Sequence, residues 1–512
     1  MRFHGGGKET DKSACLSNFC LLISYDLFSN MLKLDYCTGV LKVISQPPVF
    51  LFWGVTMKER ESIGSRLGFI LLSAGCAIGI GNVWRFPYMV GENGGGLFVL
   101  VYVLFLMILG VPILTMEYAI GRSSRLSVLS AFKKLEPKNS KWHIYGYFAI
   151  AGNYILLMFY SVVSGWILRY FVLSVMGTFE GKTPEAIEGI YQEMMASPRI
   201  LITFMGLTML ITVLITSMGL EKGVEKITKI MMIMLILIMI GLGIKSLTLP
   251  GSAEGVRFYL MPSIENVKKV GVGNVLYGAL NQSFFTLSLG IGGMEIFGSY
   301  IKKDRSLVGE AMLVAGLDTF VAIVAGLITI PACFSFGVAP DKGPSLIFLS
   351  LPNVFAAMKG GRIIGSLFFL FMYFAALSTM VGVFENDVSF SIDLLGYDRK
   401  KAALFAGIVI TLGSIPCALG FNLWSSFQPL KAGNTIMDLE DFFVSNLLLP
   451  IGSLICCLFC TSKYGWGFDN YIEEVNSGVG IKMSLALKWY FKIVLPAILI
   501  FLAVYGLWSY FA

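Results

Sequence analysis

The stretch Ser73-Ala-Gly-Cys-Ala-Ile-Gly-Ile-Gly-Asn82 packs three glycines into seven residues at the centre of an otherwise apolar segment. Each glycine costs a helix about 1 kcal/mol relative to alanine, so the cluster predicts a helix that unwinds midway. A second cluster, Phe285-Thr-Leu-Ser-Leu-Gly-Ile-Gly-Gly293, interrupts another apolar segment in the same way. Non-helical backbone at membrane depth is tolerated only where it lines a cavity. Interrupted apolar segments at matching positions of two halves mark the binding site of an inverted-repeat transporter. Close packing through small residues accounts for either cluster alone but poorly for both in corresponding places.

Breaking a helix frees backbone groups. The half-helix C-terminus offers carbonyl oxygens to a cation, and the half-helix N-terminus offers amides and a positive dipole to an anion. A site built this way can hold a sodium ion beside a carboxylate. Asn82, Thr286, Ser288, Ser378 and Thr379 supply neutral polar groups nearby in the pattern, and Tyr160 supplies a phenol.

The whole chain agrees with a membrane setting. It has 512 residues, 56% hydrophobic and only 14% charged, against about 25% charged in soluble domains. Mean hydropathy is +0.76. Soluble enzymes, disulfide scaffolds and disordered proteins are excluded on this ground. Two histidines, His4 and His143, and nine cysteines without a paired framework leave little for metal or redox chemistry. Cys457 and Cys460 form a C-x-x-C inside an apolar run and read as small filler. The net charge of +7 calls for no nucleic acid, because basic loops facing the cytoplasm account for it.

A spanning helix needs about 20 apolar residues. The pattern predicts eleven, at about 66–90, 95–121, 144–175, 199–218, 224–246, 273–300, 308–334, 362–395, 400–419, 436–461 and 486–510. The expected fold is an all-α polytopic membrane protein with an inverted five-helix repeat. Repeat one covers about 66–246, repeat two about 273–461, and the eleventh helix about 486–510; helices one and six are discontinuous. The loop at 122–141 carries Arg122, Arg125, Lys133, Lys134, Lys138 and Lys141 against Glu136 alone, whereas 176–198 carries four glutamates and one lysine. Further basic clusters at Lys222/Lys226/Lys229, Lys302/Lys303/Arg305 and Arg399/Lys400/Lys401 fall on the same side. That side is expected to be cytoplasmic, with the N-terminus inside and, for an odd number of spans, the C-terminus outside.

The run Gly75-Cys-Ala-Ile-Gly-Ile-Gly-Asn-Val-Trp-Arg-Phe-Pro-Tyr88 with Glu92-Asn-Gly-Gly-Gly96 resembles the first-helix signature of the neurotransmitter:sodium symporters. Further matches are Pro112…Glu117-Tyr…Gly121-Arg122, Gln282-Ser-Phe-Phe-Thr-Leu-Ser-Leu-Gly290 and Asp438-Leu-Glu-Asp441-Phe. The similarity runs from about Arg60 to Ala512, and the chain looks most like the eleven-helix bacterial leucine, tyrosine and tryptophan transporters. The resemblance implies a sodium-coupled symporter in a bacterial plasma membrane with two sodium ions. The first ion would use Ala77, Asn82, Thr286 and Asp318 with the substrate carboxylate. The second would use the Gly75, Ile78 and Ala375 carbonyls with the Ser378 and Thr379 hydroxyls. The substrate would lie against Cys76, Ala77, Ile80, Gly81, Leu156, Tyr160, Phe285, Thr286, Ser288, Ile291, Thr379 and Val383. Arg85 and Asp441 resemble an extracellular gate, and Arg60 and Asp393 a cytoplasmic one. Glu117, Glu295 and Glu385 read as buried structural acids.

Members that carry biogenic amines place an aspartate where this chain has Gly79, so here the substrate should bring its own carboxylate. The walls are apolar with no lysine or arginine, which implies a neutral hydrophobic or aromatic amino acid. Another small zwitterionic solute is the alternative. Asp318 stands where the family usually has asparagine, and Ala322 where chloride-dependent members have serine. The expectation is that the Asp318 charge replaces chloride; burial also favours a neutral carboxyl once sodium leaves, which would allow proton counter-transport. A channel is the rival class, but no ring of charges or filter motif is present. An enzyme would need a nucleophile–base pair or metal cluster, and the two histidines suit neither. The oligomeric state is left open by the composition of the spans.

Residues 1–56 contain no run long enough to span and no signal-peptide cleavage pattern. Met57 is followed at once by the charged head Lys58-Glu-Arg60. The expectation is a disordered or over-extended segment before a transporter domain at 57–512, with translation starting at Met57. Mass analysis of the native protein should find no peptide from residues 1–56; recovering one would refute the later start.

Overall fold

In the structure, a computed structural model, residues 63–337 and 346–511 are described; the expectations for residues 1–56 and for Arg60 lie outside them. The described residues contain no strand, only an isolated bridge between Arg305 and Val479.

Among the described residues, nine helices are long and apolar enough to cross a membrane: α2 (Gly96–Ser124), α3 (Ile144–Val175), α4 (Pro198–Ser217), α5 (Leu220–Leu247), α7 (Leu307–Ser335), α8 (Gly361–Leu395), α9 (Arg399–Leu419), α10 (Ile436–Thr461) and α11 (Leu485–Trp508). A tenth, α1, is the pair Arg66–Ala77 and Gly81–Glu92, bent by 58° at its break. The remaining expected span, α6, consists of Val272–Phe285 and Gly293–Gly298. Neither piece is long enough to span alone, because its glycine cluster interrupts it more completely.

Burial sorts the helices into core and periphery. Of the most apolar stretch of each, 83% is buried in α8 and 78% in α3, against 39% in α4 and α5 and 33% in α11. The peripheral helices keep Leu210, Leu214, Leu237 and Ile244 exposed, as helices facing lipid do, where apolar tails replace water as solvent. α8 packs against α1, α3, α5 and α9 and forms the wall that the α1 break faces.

The basic loops gather at one end of the bundle. Arg122 donates to the Arg305 carbonyl at 2.7 Å and pairs with Glu474 at 2.6 Å. Arg125 donates to the Ser299 carbonyl at 2.8 Å, and Arg399 to the Glu385 carboxylate at 2.7 Å. At the same end the start of α1 is tied down: Glu225 accepts from the Gly64 amide at 2.8 Å and Arg66 pairs with Glu310 at 3.0 Å. The six cysteines among the described residues are buried and form no disulfide there.

Helix α10 approaches the α6 break so closely that only glycine fits between them. A Cβ on Gly452 would lie 1.7 Å from the Gly290 carbonyl oxygen. Gly452→Ala must push α6 off α10, and overpacking of this kind costs about 1–3 kcal/mol. The purified variant should melt several degrees below the wild type; an unchanged Tm would mean that the two helices can separate at no cost.

Candidate functional site

The two breaks meet across the bundle. In α1, Ile78 leaves helical geometry (φ −73°, ψ 94°), and the chain re-enters through a π-helical turn at Gly81–Arg85. In α6, Ser288 has φ +51°, Gly290 +90° and Gly292 +69°. Ser288 is one of three non-glycine residues with positive φ among those described, a conformation that persists only where surrounding structure enforces it.

Asn82 ties α1 to α6 and α7. Its side-chain oxygen accepts from the Gly79 amide at 3.1 Å, closing the break on itself. Its amide nitrogen donates to Thr286 Oγ1 at 2.9 Å and to Asp318 Oδ1 at 2.7 Å. Thr286 Oγ1 donates in turn to Asp318 Oδ2 at 2.9 Å, and the Tyr102 hydroxyl reaches the same oxygen at 3.4 Å. Asn82 and Asp318 are wholly buried and Thr286 nearly so. Three of the four residues expected around the first sodium are therefore in direct contact. The fourth, Ala77, is buried at the last helical position before the break.

A second group of oxygens lies between α1 and α8. Thr379 Oγ1 donates to the Gly75 carbonyl at 3.2 Å and to the Ile78 carbonyl at 3.1 Å. Ser378 Oγ lies 3.0 Å from the Ala375 carbonyl. These are the five residues expected around the second ion, and the carbonyls are available because the helix stops where it does.

Between the two groups, the Ile80 amide donates to the Tyr160 hydroxyl at 2.9 Å. Leu156, Tyr160, Ile291 and Val383 are buried, Phe285 and Ser288 partly so, and Cys76 packs against Gly382 of α8. Gly81 faces the Phe285 ring, at 2.8 Å from a built Cβ. Above them the Arg85 guanidinium lies over the same ring, 4.1 Å from its centroid. Asp441 accepts from Ser445 at 2.7 Å, and no ion pair within 4.0 Å joins it to Arg85. Asp393 accepts from the Ser127 amide at 2.7 Å, capping the short helix Val128–Leu135.

Glu117, read from the sequence as a buried structural acid, holds the α6 break, and Tyr145, Asn153 and Gln282, to which the sequence reading gave no role, hold the site with it. Glu117 accepts from the Gly290 amide at 2.6 Å and the Met294 amide at 3.2 Å. Tyr145 donates to the Gly290 carbonyl at 2.9 Å, and Asn153 to the Ile291 carbonyl at 2.8 Å. Gln282 donates to the Gly81 carbonyl at 3.2 Å. The available signal was Glu117 itself, an acid inside an apolar run, where an ionisable group is a functional candidate by default.

Gly79 has no room for a side chain. A Cβ there would stand 2.4 Å from Tyr160 Oη and 2.6 Å from Thr379 Oγ1. Gly79→Ala must displace one of them and lose bonds worth about 1 kcal/mol each. The sodium concentration giving half-maximal thermal stabilisation should rise roughly tenfold or more; an unaltered sodium midpoint would mean that Tyr160 and Thr379 yield freely.

The comparisons agree with this geometry. The chain is 34% identical over 460 residues to YhdH of Bacillus subtilis, an uncharacterised sodium-dependent transporter, covering 89% of this chain and all of that one. It is 25% identical to the sodium- and chloride-dependent taurine transporter of Rattus norvegicus, over 88% of this chain and 79% of the relative. The crystal structure of MhsT in complex with L-phenylalanine superposes with a TM-score of 0.79 at 36% identity, over 87% of this chain and all of MhsT. The profile of the sodium:neurotransmitter symporter family matches residues 60–185 and 189–512. With both helix breaks in place and nearly the whole chain matched, the protein belongs to the sodium:neurotransmitter symporter family.

Proposed function

We propose that this sodium-dependent symporter imports a neutral hydrophobic or aromatic amino acid by alternating access, without chloride. The observation that carries the reading is the lack of space at Gly79 beside the Ile80 amide and Tyr160 hydroxyl. No protein carboxylate fits there to receive a substrate amine, while the broken helix presents a donor end to a substrate carboxylate. Apolar Leu156, Ile291 and Val383 suit an uncharged side chain, and L-phenylalanine bound to MhsT is of that type.

Sodium enters as co-substrate. One ion takes the place of the donors around Asp318, with Asn82, Thr286 and the Ala77 carbonyl. The other sits among Gly75, Ile78, Ala375, Ser378 and Thr379. Because the substrate carboxylate completes the first ion's shell, the two bind together, with a coupling of typically 1–3 kcal/mol. Asp318 brings a negative charge to that shell, the part that chloride would otherwise play, and release of sodium leaves a buried carboxyl that a returning proton can neutralise. Closure draws Arg85 off Phe285 toward Asp441. The clustering of Arg122, Arg125 and Arg399 at one end of the bundle supports that end being cytoplasmic, and the likeness to YhdH of Bacillus subtilis supports a bacterial plasma membrane.

The test is a thermal-shift screen of purified protein against the twenty amino acids and taurine, in sodium chloride, sodium gluconate and choline chloride. A ligand at about 100 times its Kd stabilises by about 2.7 kcal/mol. One or two hydrophobic amino acids should raise Tm in both sodium salts and not in choline. A rise confined to chloride would defeat the chloride-free mechanism, a rise with taurine alone would favour the other zwitterion, and no sodium-dependent rise would defeat the substrate reading.

A further inference from the structure

Glu295 is used neither by the sodium groups nor by the pocket. It lies in the second piece of α6, has no exposed surface, and its Oε2 has no hydrogen-bond partner. Its Oε1 is 3.8 Å from Cys456 Sγ of α10, which is itself 3.7 Å from the Tyr145 hydroxyl of α3. Tyr145 holds the Gly290 carbonyl, while Glu117 of α2 holds the Gly290 amide. One carboxylate and a phenol thus hold the Gly290 peptide unit, that of a residue with φ +90°, and Glu295 is linked to the phenol through Cys456 Sγ.

The electrostatic surroundings of this group are one-sided. The titratable groups that face Glu117 and Glu295 are Cys76 of α1, Tyr118 of α2, Tyr145 of α3, and Cys456 and Cys460 of α10. No lysine, arginine or histidine stands among them, and neither glutamate forms an ion pair with a described residue. Glu117 has a reason to be ionised, since it accepts from two amides. Glu295 accepts from nothing stronger than a thiol and has one oxygen facing no donor. Two uncompensated carboxylates cannot both stay charged in a low-dielectric interior, and the one without amide donors is the one that takes the proton.

We propose that Glu117 and Glu295 form a proton-binding site separate from Asp318, and that the bound proton keeps α6 broken at Gly290. One proton, taken from water, resides on Glu295 and leaves Glu117 as the anion that holds the Gly290 and Met294 amides. When that proton leaves, two like charges share the pocket. Repulsion then works against the Glu117 contacts, so the α6 break loosens as pH rises. The state with α6 broken at Gly290 is therefore a protonated state whichever solute the site carries; only the ligand readout rests on the amino-acid symport reading.

The experiment compares wild-type protein with Glu295→Gln by infrared spectroscopy and by thermal stability against pH. Wild-type protein grown with isotope-labelled glutamate should show the carbonyl stretch of a protonated carboxylic acid at neutral pH, shifted by the label. That assigns the band to a glutamate rather than to Asp318 or the buried Asp387. The band should fade on alkaline titration together with Tm, and Glu295→Gln should lack both the band and the alkaline fall in Tm. A labelled band and an alkaline limb that persist in Glu295→Gln would overturn the proposal. Should Glu295→Gln fail to accumulate, labelled Glu440→Gln decides: of the two other glutamates with a buried, unpartnered oxygen, Glu310 is held as the anion by Arg66, which leaves Glu440, so a surviving band supports the pair and no band overturns it. Neither spectrum needs an added amino acid. Failure of the thermal-shift screen with the band present would therefore count against the substrate reading alone.

Discussion

A backbone interrupted at membrane depth must satisfy its freed amides and carbonyls within the protein, because lipid offers no partner. Everything around the centre of this molecule answers that constraint. The α1 break is closed by Asn82 on the Gly79 amide and by Thr379 on the Gly75 and Ile78 carbonyls. The α6 break is closed by Glu117, Tyr145 and Asn153. The same groups that make the break tolerable are ones an ion or a carboxylate can take over, so the cost of unwinding is met in a form that ligands can exchange for.

Asp318 shows how this exchange is poised. Three neutral donors converge on it, from Asn82, Thr286 and Tyr102, and no basic side chain among the described residues pairs with it. Neutral donors partly replace water around a carboxylate but do not cancel its charge, and a buried charge without a counter-ion is costly. A cation arriving between these helices is therefore favoured by the existing arrangement. At the α6 break an acid, Glu117, accepts from the freed Gly290 and Met294 amides, which gives that break a different electrostatic character.

The rigid and peripheral parts divide along the same lines. α3 and α8, buried on most of their surface, carry Tyr160, Leu156, Ser378, Thr379 and Val383, so these side chains are set on elements held from several sides. α4, α5, α9 and α11 turn apolar faces outward. Arg85 over Phe285, with Asp441 bonded to Ser445, shows the outer charges each engaged locally rather than with one another.

How much was readable from residues alone follows from what each signal measures. Helix ends and identities were legible because twenty apolar residues and a glycine cluster are local facts, and the α1 and α6 breaks fall where the glycines lie. Asn82, Thr286, Ser378 and Thr379 were legible as polar groups beside those breaks, and Asp318 through the family pattern at its position. The grip of Glu117 and Tyr145 on Gly290 was not, since it joins α2, α3 and α6 across 173 and 145 positions of chain, and no periodicity encodes such a pairing. Nor could spacing tell that Glu295 turns inward toward Cys456 or that Arg85 lies over Phe285. Local composition determined that this chain crosses a membrane with two unwound helices; only the packing of α2, α3, α8 and α10 around those helices decided which side chains hold the breaks, because a side chain's partner depends on where distant helices place it.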